Sequence, residues 1–391
     1  MKMTGLRRCC KLQKTIIISR ILRPFWMRIH TIDYMRGLMA LSILFYHLTA
    51  WTIGTPPSET LLGKLGVYGV SVFFVISGMS MYISYKSTKW TTTSILSFFV
   101  RRFGRLAPVY WIALALTFCY AAYENRPLKF TNTEIWHNIF LTFGIADFSK
   151  YIVTGGWSIG NEVVFYLFFP ALIVIAPFKK FFLLANAVIM YVYIYYCFVV
   201  ISPYHTLGAQ WVAYIHPFNQ AFLFSSGIVL AWLTYTFGFS KNQKLMWALL
   251  LISCIAFILY PVRGDQITII SEWNRLCITG LILATCYALL NLRVNTQNSI
   301  TKLLSFLGDV SYPVYLLHGI FFIIVNKYIW ALLNISSKEI GFAFFVFVFT
   351  PVLLALSWLV FVYIEKPAIN IVKRLTFIER KQSVTFPSDI Q

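Results

Sequence analysis

The chain has 391 residues, of which 59% are hydrophobic and 12% charged, with a net charge of +20 and a mean hydropathy of +0.72. A soluble domain carries about 25% charged residues, so a water-soluble enzyme is excluded and an integral membrane protein is expected. The positive residues lie between apolar segments, so they read as topology determinants and contacts for anionic lipids or phosphates, with no nucleic acid implied.

A bilayer crossing needs about 20 mostly apolar residues. Ten stretches qualify in chain order: 34–53, 66–85, 103–122, 157–177, 180–201, 216–238, 245–261, 274–291, 311–333 and 341–364. The expected fold is all-α, a polytopic transmembrane helical bundle of about ten spans. The stretch 137–146 is too short and flanked by charge, which suits an interfacial or re-entrant segment. Ahead of the first span, residues 1–30 form a basic arm whose short apolar run at 16–19 lacks a small-residue cleavage site. A membrane domain over 31–368 and a tail over 369–391 complete the expected organisation. In a ten-span chain both termini share one side, and 25 of the 33 Lys and Arg fall on that side against 8 on the other. The positive-inside rule then makes both termini cytoplasmic. The longest stretch between spans, 123–156, is a loop, so no appended soluble domain is expected. The seven cysteines show no spacing typical of a disulfide framework or a zinc site, and no metal is expected.

Within this orientation the polar residues acquire depths. DYMRGLMALSILFYH (33–47) puts Arg36 at the cytoplasmic mouth and His47 eleven residues on, about 16 Å deeper. An ionisable group at mid-bilayer is costly and points to function; the alternative is a neutral histidine bonded to a neighbouring helix. VRRFGRLAPVYW (100–111) places Arg101, Arg102 and Arg105 at the entry of the third span. Arg102 and Arg105 share a helical face at i, i+3, and with Arg36 they would form a phosphate-binding rim. Such arginines also serve as snorkelling anchors.

GGWSIGNEVVFYLFFP (155–170) sets Glu162 about 7–8 Å below the outer end of the fourth span. Tyr166 shares its face at i+4 and Trp157 stands at the lip. This carboxylate suits either a structural pair or an acceptor for sugar hydroxyls, and the Gly155-Gly156 pair suits a bend into the helix. In LGDVSYPVYLLHG (307–319), His318 again reaches mid-depth, with Tyr315 at i−3 as a partner for its ring. Glu365-Lys366-Pro367 closes the last span, Glu365 serving as an anchor or as an ion-pair partner for the arginine rim. A phosphate-bearing donor from the cytoplasm and a polar acceptor from outside would meet near a histidine.

Six motifs in order, DYMRGLMALSILFYH, GVSVFFVISGMSMY (69–82), RRFGRLAPVYW, WSIGNEVVFYLFFP, LGDVSYPVYLLHG and the closing EKP, resemble those of the membrane acyltransferase-3 family over about residues 31–368. Ile159 replaces the usual leucine after Trp-Ser, and Met35 the usual leucine before the arginine. The resemblance implies an enzyme of the bacterial inner membrane that moves an acyl group, usually acetyl from acetyl-CoA, to a carbohydrate hydroxyl. The acceptor would be O-antigen, exopolysaccharide or capsule, free or lipid-linked. It implies His47 as the catalytic residue and Arg36, Arg102 and Arg105 as the essential basic positions, Arg36 supporting catalysis as well as donor binding. Glu162, Trp157 and Tyr166 are then expected at the acceptor, with His318 and Tyr315 supporting. Without a further domain, transfer would be completed here or by separate periplasmic or glycan-assembly partners. The rival from another class is a transporter or flippase, with histidines relaying protons and arginines binding an anionic solute.

Overall fold

The computed structural model describes residues 29–127, 129–333 and 337–378. Contacts divide the chain into Met1–His30 and Thr31–Gln391, and the second unit carries everything discussed below. Most of the expected basic arm and most of the expected tail lie outside the described residues.

The described residues form helices and no strands. In chain order they are α1 (His30–Thr52), α2 (Leu61–Tyr85), α3 (Thr92–Tyr123), the short α4 (Asn132–Ile139) and α5 (Phe143–Ala146), then α6 (Gly156–Ile175) and α7 (Lys179–Val200). There follow α8 (Trp211–Phe237), α9 (Gln243–Leu259), a one-turn helix at Ile267–Ile270, α10 (Glu272–Asn291), α11 (Ser299–Leu333) and α12 (Lys338–Leu375). Eight of them (α2, α3, α6, α7, α8, α10, α11 and α12) are long and apolar enough to cross a membrane by length and composition. At 17 residues α9 is shorter, and α1 has 23 residues but carries Asp33, Arg36 and His47. Each expected span therefore coincides with a helix.

Two boundaries differ usefully from the hydropathy reading. α3 begins at Thr92, where the Thr91 hydroxyl accepts from Ser94 N. Basic residues end an apolar run without ending a helix. Arg105 consequently lies thirteen residues into α3, about 20 Å from its start, instead of near an entry. α12 runs past 364 to Leu375, absorbing Pro367 just after a π-helical turn at Phe361–Glu365. The stretch 137–146 folds as parts of α4 and α5, with a Thr131–Glu134 capping box at the start of α4.

Close approaches at glycine set the packing around the site. A Cβ at Gly37 would lie 2.7 Å from Gly308 N, so α1 and α11 touch backbone to backbone. α2 and α8 meet in the same way, Gly78 against the Phe224 carbonyl and Gly227 against that of Val75. Small residues allow such contact between membrane helices. Lys64, 1% exposed, is satisfied without a carboxylate: its Nζ donates to the carbonyls of Ile258 and Tyr260, each at 2.8 Å, at the end of α9.

Candidate active site

Across the α1–α11 contact, His318 Nε2 lies 3.1 Å from His47 Nδ1, with ring centroids 5.0 Å apart. His318 Nδ1 is 2.7 Å from the Tyr315 carbonyl oxygen. A carbonyl only accepts, so His318 carries its proton on Nδ1, and in the neutral ring its Nε2 is an acceptor. His47 must then donate from Nδ1, which leaves the lone pair on its Nε2. An imidazole with a free lone pair, oriented through its other nitrogen, has the form of a general base. His318 is fully buried and His47 half-buried. One turn beyond His47, Trp51 stacks on both rings at 5.0 and 5.7 Å, and Phe322 packs against the indole at 4.6 Å.

A second feature is a cavity of about 140 Å³ lined by residues that include Arg36, Arg102, Arg105, Glu162, Tyr166 and Tyr315. Arg102 donates from Nη2 to Tyr85 OH at 3.1 Å, while its buried Nε has no partner. Arg36 pairs with Asp33 at 3.2 Å, and Glu162 accepts from Tyr166 OH at 2.5 Å. Glu365, 4% exposed, sits in the π turn of α12 within electrostatic reach of Arg105 and Arg36. An orphaned guanidinium N–H among three arginines fits an anionic group such as a phosphate. Arg101 is used differently: its Nε and Nη2 donate to Thr376 Oγ1 and O, both at 2.7 Å, tying α3 to the end of α12.

The cavity stops short of the histidines. Phe73 and Tyr315 line it, their rings 5.8 Å apart, and neither His47 nor His318 does. Tyr315 therefore belongs to both features, since its ring lines the cavity and its carbonyl holds His318. Its hydroxyl donates to Gly155 O and lies beside Ser158 Oγ, each at 2.9 Å. Gly155 has φ +76°, and a Cβ there would lie 2.9 Å from the Tyr315 ring. Among the described residues no group of three His, Cys, Asp or Glu could hold a metal ion.

The sequence profile of the acyltransferase-3 family, described as an acyltransferase domain, matches residues 29–362. The chain belongs to the acyltransferase-3 family. It is 25% identical over 297 residues to ORF330 of Acidianus two-tailed virus, which carries an acetyltransferase name, covering 73% of this chain and 81% of the relative. To the peptidoglycan O-acetyltransferase OatA of Listeria monocytogenes it is 27% identical over 165 residues, 37% of this chain and 24% of that protein. No solved structure matches significantly. The family and these relatives make the protein a multi-pass membrane O-acyltransferase of the acetyltransferase kind.

Within this acyltransferase the residues singled out from sequence fall into two groups. His47 meets His318, while Arg36, Arg102, Arg105, Glu162, Tyr166 and Tyr315 share the cavity. Glu162, expected on the acceptor side, thus lies beside the arginines. Trp157, expected at the lip, is 6% exposed, packed among Phe74, Trp211 and Tyr214 and away from the cavity lining. Tyr315, expected as a partner for the His318 ring, meets it through its carbonyl oxygen, with the two ring centroids 6.2 Å apart, because a helical side chain leans back over the preceding turn. Two features were missed. Trp51 follows His47 at i+4, a spacing that was there to be read. Ser77, Ser80 and Ser84 line the cavity from one face of α2 at i, i+3 and i+7.

Proposed function

We propose that this acyltransferase takes an acyl group, acetyl in the first instance, from acyl-CoA on the cytoplasmic side of a bacterial inner membrane. It passes the group to a hydroxyl of a cell-surface or exported carbohydrate. The observation that carries the reading is the continuity from arginine-lined cavity to Tyr315 to His318 to His47.

Arg36, Arg102 and Arg105 would bind the phosphates of the donor. Arginines and Tyr315 line the same serine-lined cavity, so with the phosphates at the arginines the thioester end would point toward Tyr315. His47 Nε2 would remove the hydroxyl proton as that oxygen attacks the thioester carbonyl. The C–O bond forms, the C–S bond breaks, and the proton held on His47 passes to the departing thiolate. His318 would hold the ring in the tautomer this requires, and the held geometry supplies much of the advantage. O-antigen, exopolysaccharide and capsule fit the acceptor class, free or lipid-linked, with separate periplasmic partners for glycan assembly.

The test is labelled acetyl-CoA supplied to vesicles containing the full chain, with saponified envelope glycan from the host as acceptor. Mass spectrometry should find a base-labile acetyl ester on the glycan. Donor consumption without any acetyl ester on a sugar would count against the carbohydrate acceptor.

A further inference from the structure

The geometry points to Trp51 as the surface on which the acceptor sugar is seated, an inference that rests on the transfer reaction proposed above. Trp51 is in the last turn of α1, and the chain beyond it is exposed from Ile53 to Thr55. Its indole is nearly parallel to both imidazoles, at 16° to each. It is nevertheless 38% exposed, and its Nε1 forms no hydrogen bond with the described residues.

Exposure alone does not set Trp51 apart, since Trp136, Trp247, Trp273 and Trp358 are at least as exposed; three tryptophans near the core are tied down or buried. Trp211 Nε1 donates to Tyr151 OH at 2.9 Å and Trp232 Nε1 to Ala176 O at 3.2 Å, while Trp157 is buried. Interfacial tryptophans commonly serve as membrane anchors. An anchor, however, has no need to lie parallel to two histidines contributed by different helices. Here His47, His318 and Phe322 pack against the indole, which still leaves the residue 38% exposed.

The chemistry of that exposed part suits a pyranose. An indole face carries negative quadrupole density, which attracts the weakly positive C–H face of a sugar ring, and the N–H can donate to a ring hydroxyl. A sugar stacked there would have its neighbouring hydroxyls beside the histidine that takes the proton. Water and small alcohols, lacking such a face, would gain little from the platform, so Trp51 would favour sugar transfer over hydrolysis of the donor.

The test compares wild type, Trp51→Leu and Trp51→Phe as full chains in vesicles, with labelled acetyl-CoA and saponified host-envelope glycan. Acetyl transfer to glycan and acetyl-CoA hydrolysis are measured together. Trp51→Leu should lower the transfer-to-hydrolysis ratio by about tenfold or more, the scale of one lost ring-stacking contact. The glycan concentration at half-maximal rate should rise while the donor KM stays within about twofold. Trp51→Phe should recover most of the ratio. An unchanged ratio would overturn the inference, whether both rates hold (a membrane anchor) or fall together (a support for His47 alone). Wild-type protein that hydrolyses acetyl-CoA yet labels no glycan would overturn the carbohydrate reading as well.

Discussion

His47 and His318 stand at equal distances from the point where their helices touch. Gly37 meets Gly308 at the α1–α11 contact, and each histidine lies ten residues further along its own helix. Because α1 and α11 run in the same direction, the equal offsets bring both rings to one level, about 15 Å from the contact. The His47–His318 hydrogen bond therefore depends on two glycines well removed from it.

Enlarging either glycine should separate the pair. Gly308→Ala would put a methyl group 2.5 Å from Asp33 O, and overpacking of this kind costs about 1–3 kcal/mol. Acetyl transfer should fall by about tenfold or more while helical content by circular dichroism is kept. Gly280→Ala in α10, where a Cβ meets nothing within 4 Å, is the control and should leave activity unchanged.

Replacing His318 separates orientation from proton transfer. His318→Ala removes the group that accepts from His47 Nδ1 and should lower kcat on the order of 10²-fold with donor KM little changed. His318→Gln retains an acceptor in the side chain and should recover part of the loss. Steady-state kinetics on purified protein distinguish the two, and equal losses would argue against an orienting role.

The neighbouring arginines should behave differently. Arg102→Ala, in the cavity with an unpartnered Nε, should raise the donor KM roughly tenfold. Arg101→Ala breaks both bonds to Thr376 and should lower the thermal midpoint while leaving the donor KM unchanged. A donor-KM effect of equal size in both variants would contradict the division.

Gly155→Ala tests the turn that meets Tyr315. An L-residue at φ +76° with its Cβ 2.9 Å from that ring is strained by about 1–3 kcal/mol. Gly156→Ala meets its nearest atoms only at 3.3 Å. Thermal denaturation in detergent should show a clear loss for the first and a smaller one for the second.

Outside the spans, Glu124 follows α3 and accepts from Lys327 Nζ and Tyr328 OH, which holds its carboxyl below the usual carboxylate range. A lowered folded-state pKa stabilises above the unfolded value, about 4.3, and that contribution disappears as pH falls through the folded value. The thermal midpoints of wild type and Glu124→Gln should therefore differ most above about pH 5 and converge on further acidification.

Hydropathy located each long helix because about twenty apolar residues have few other fates in a long chain. It misplaced the start of α3, since Arg101, Arg102 and Arg105 interrupt the apolar run and not the helix. Depth along the chain brought His47 and His318 to one level, but their contact depends on Gly37 and Gly308, whose pairing no single-helix pattern contains. Glu162 went to the acceptor side for the same reason: its height in α6 was readable, its packing against the arginines of α3 was not. Trp51 reads in isolation as an interfacial anchor, and only the imidazoles of His47 and His318 lying parallel to its indole distinguish it.

The central claim is that His47, held by His318, takes the proton of the acceptor hydroxyl. Its most direct test is the rate of labelled acetyl transfer from acetyl-CoA to envelope glycan by wild type and His47→Ala, at matched protein levels in vesicles. His47→Ala should lose about 10²–10⁴-fold in transfer, with donor binding retained through the arginines. Near-wild-type transfer by a well-folded His47→Ala protein would contradict it.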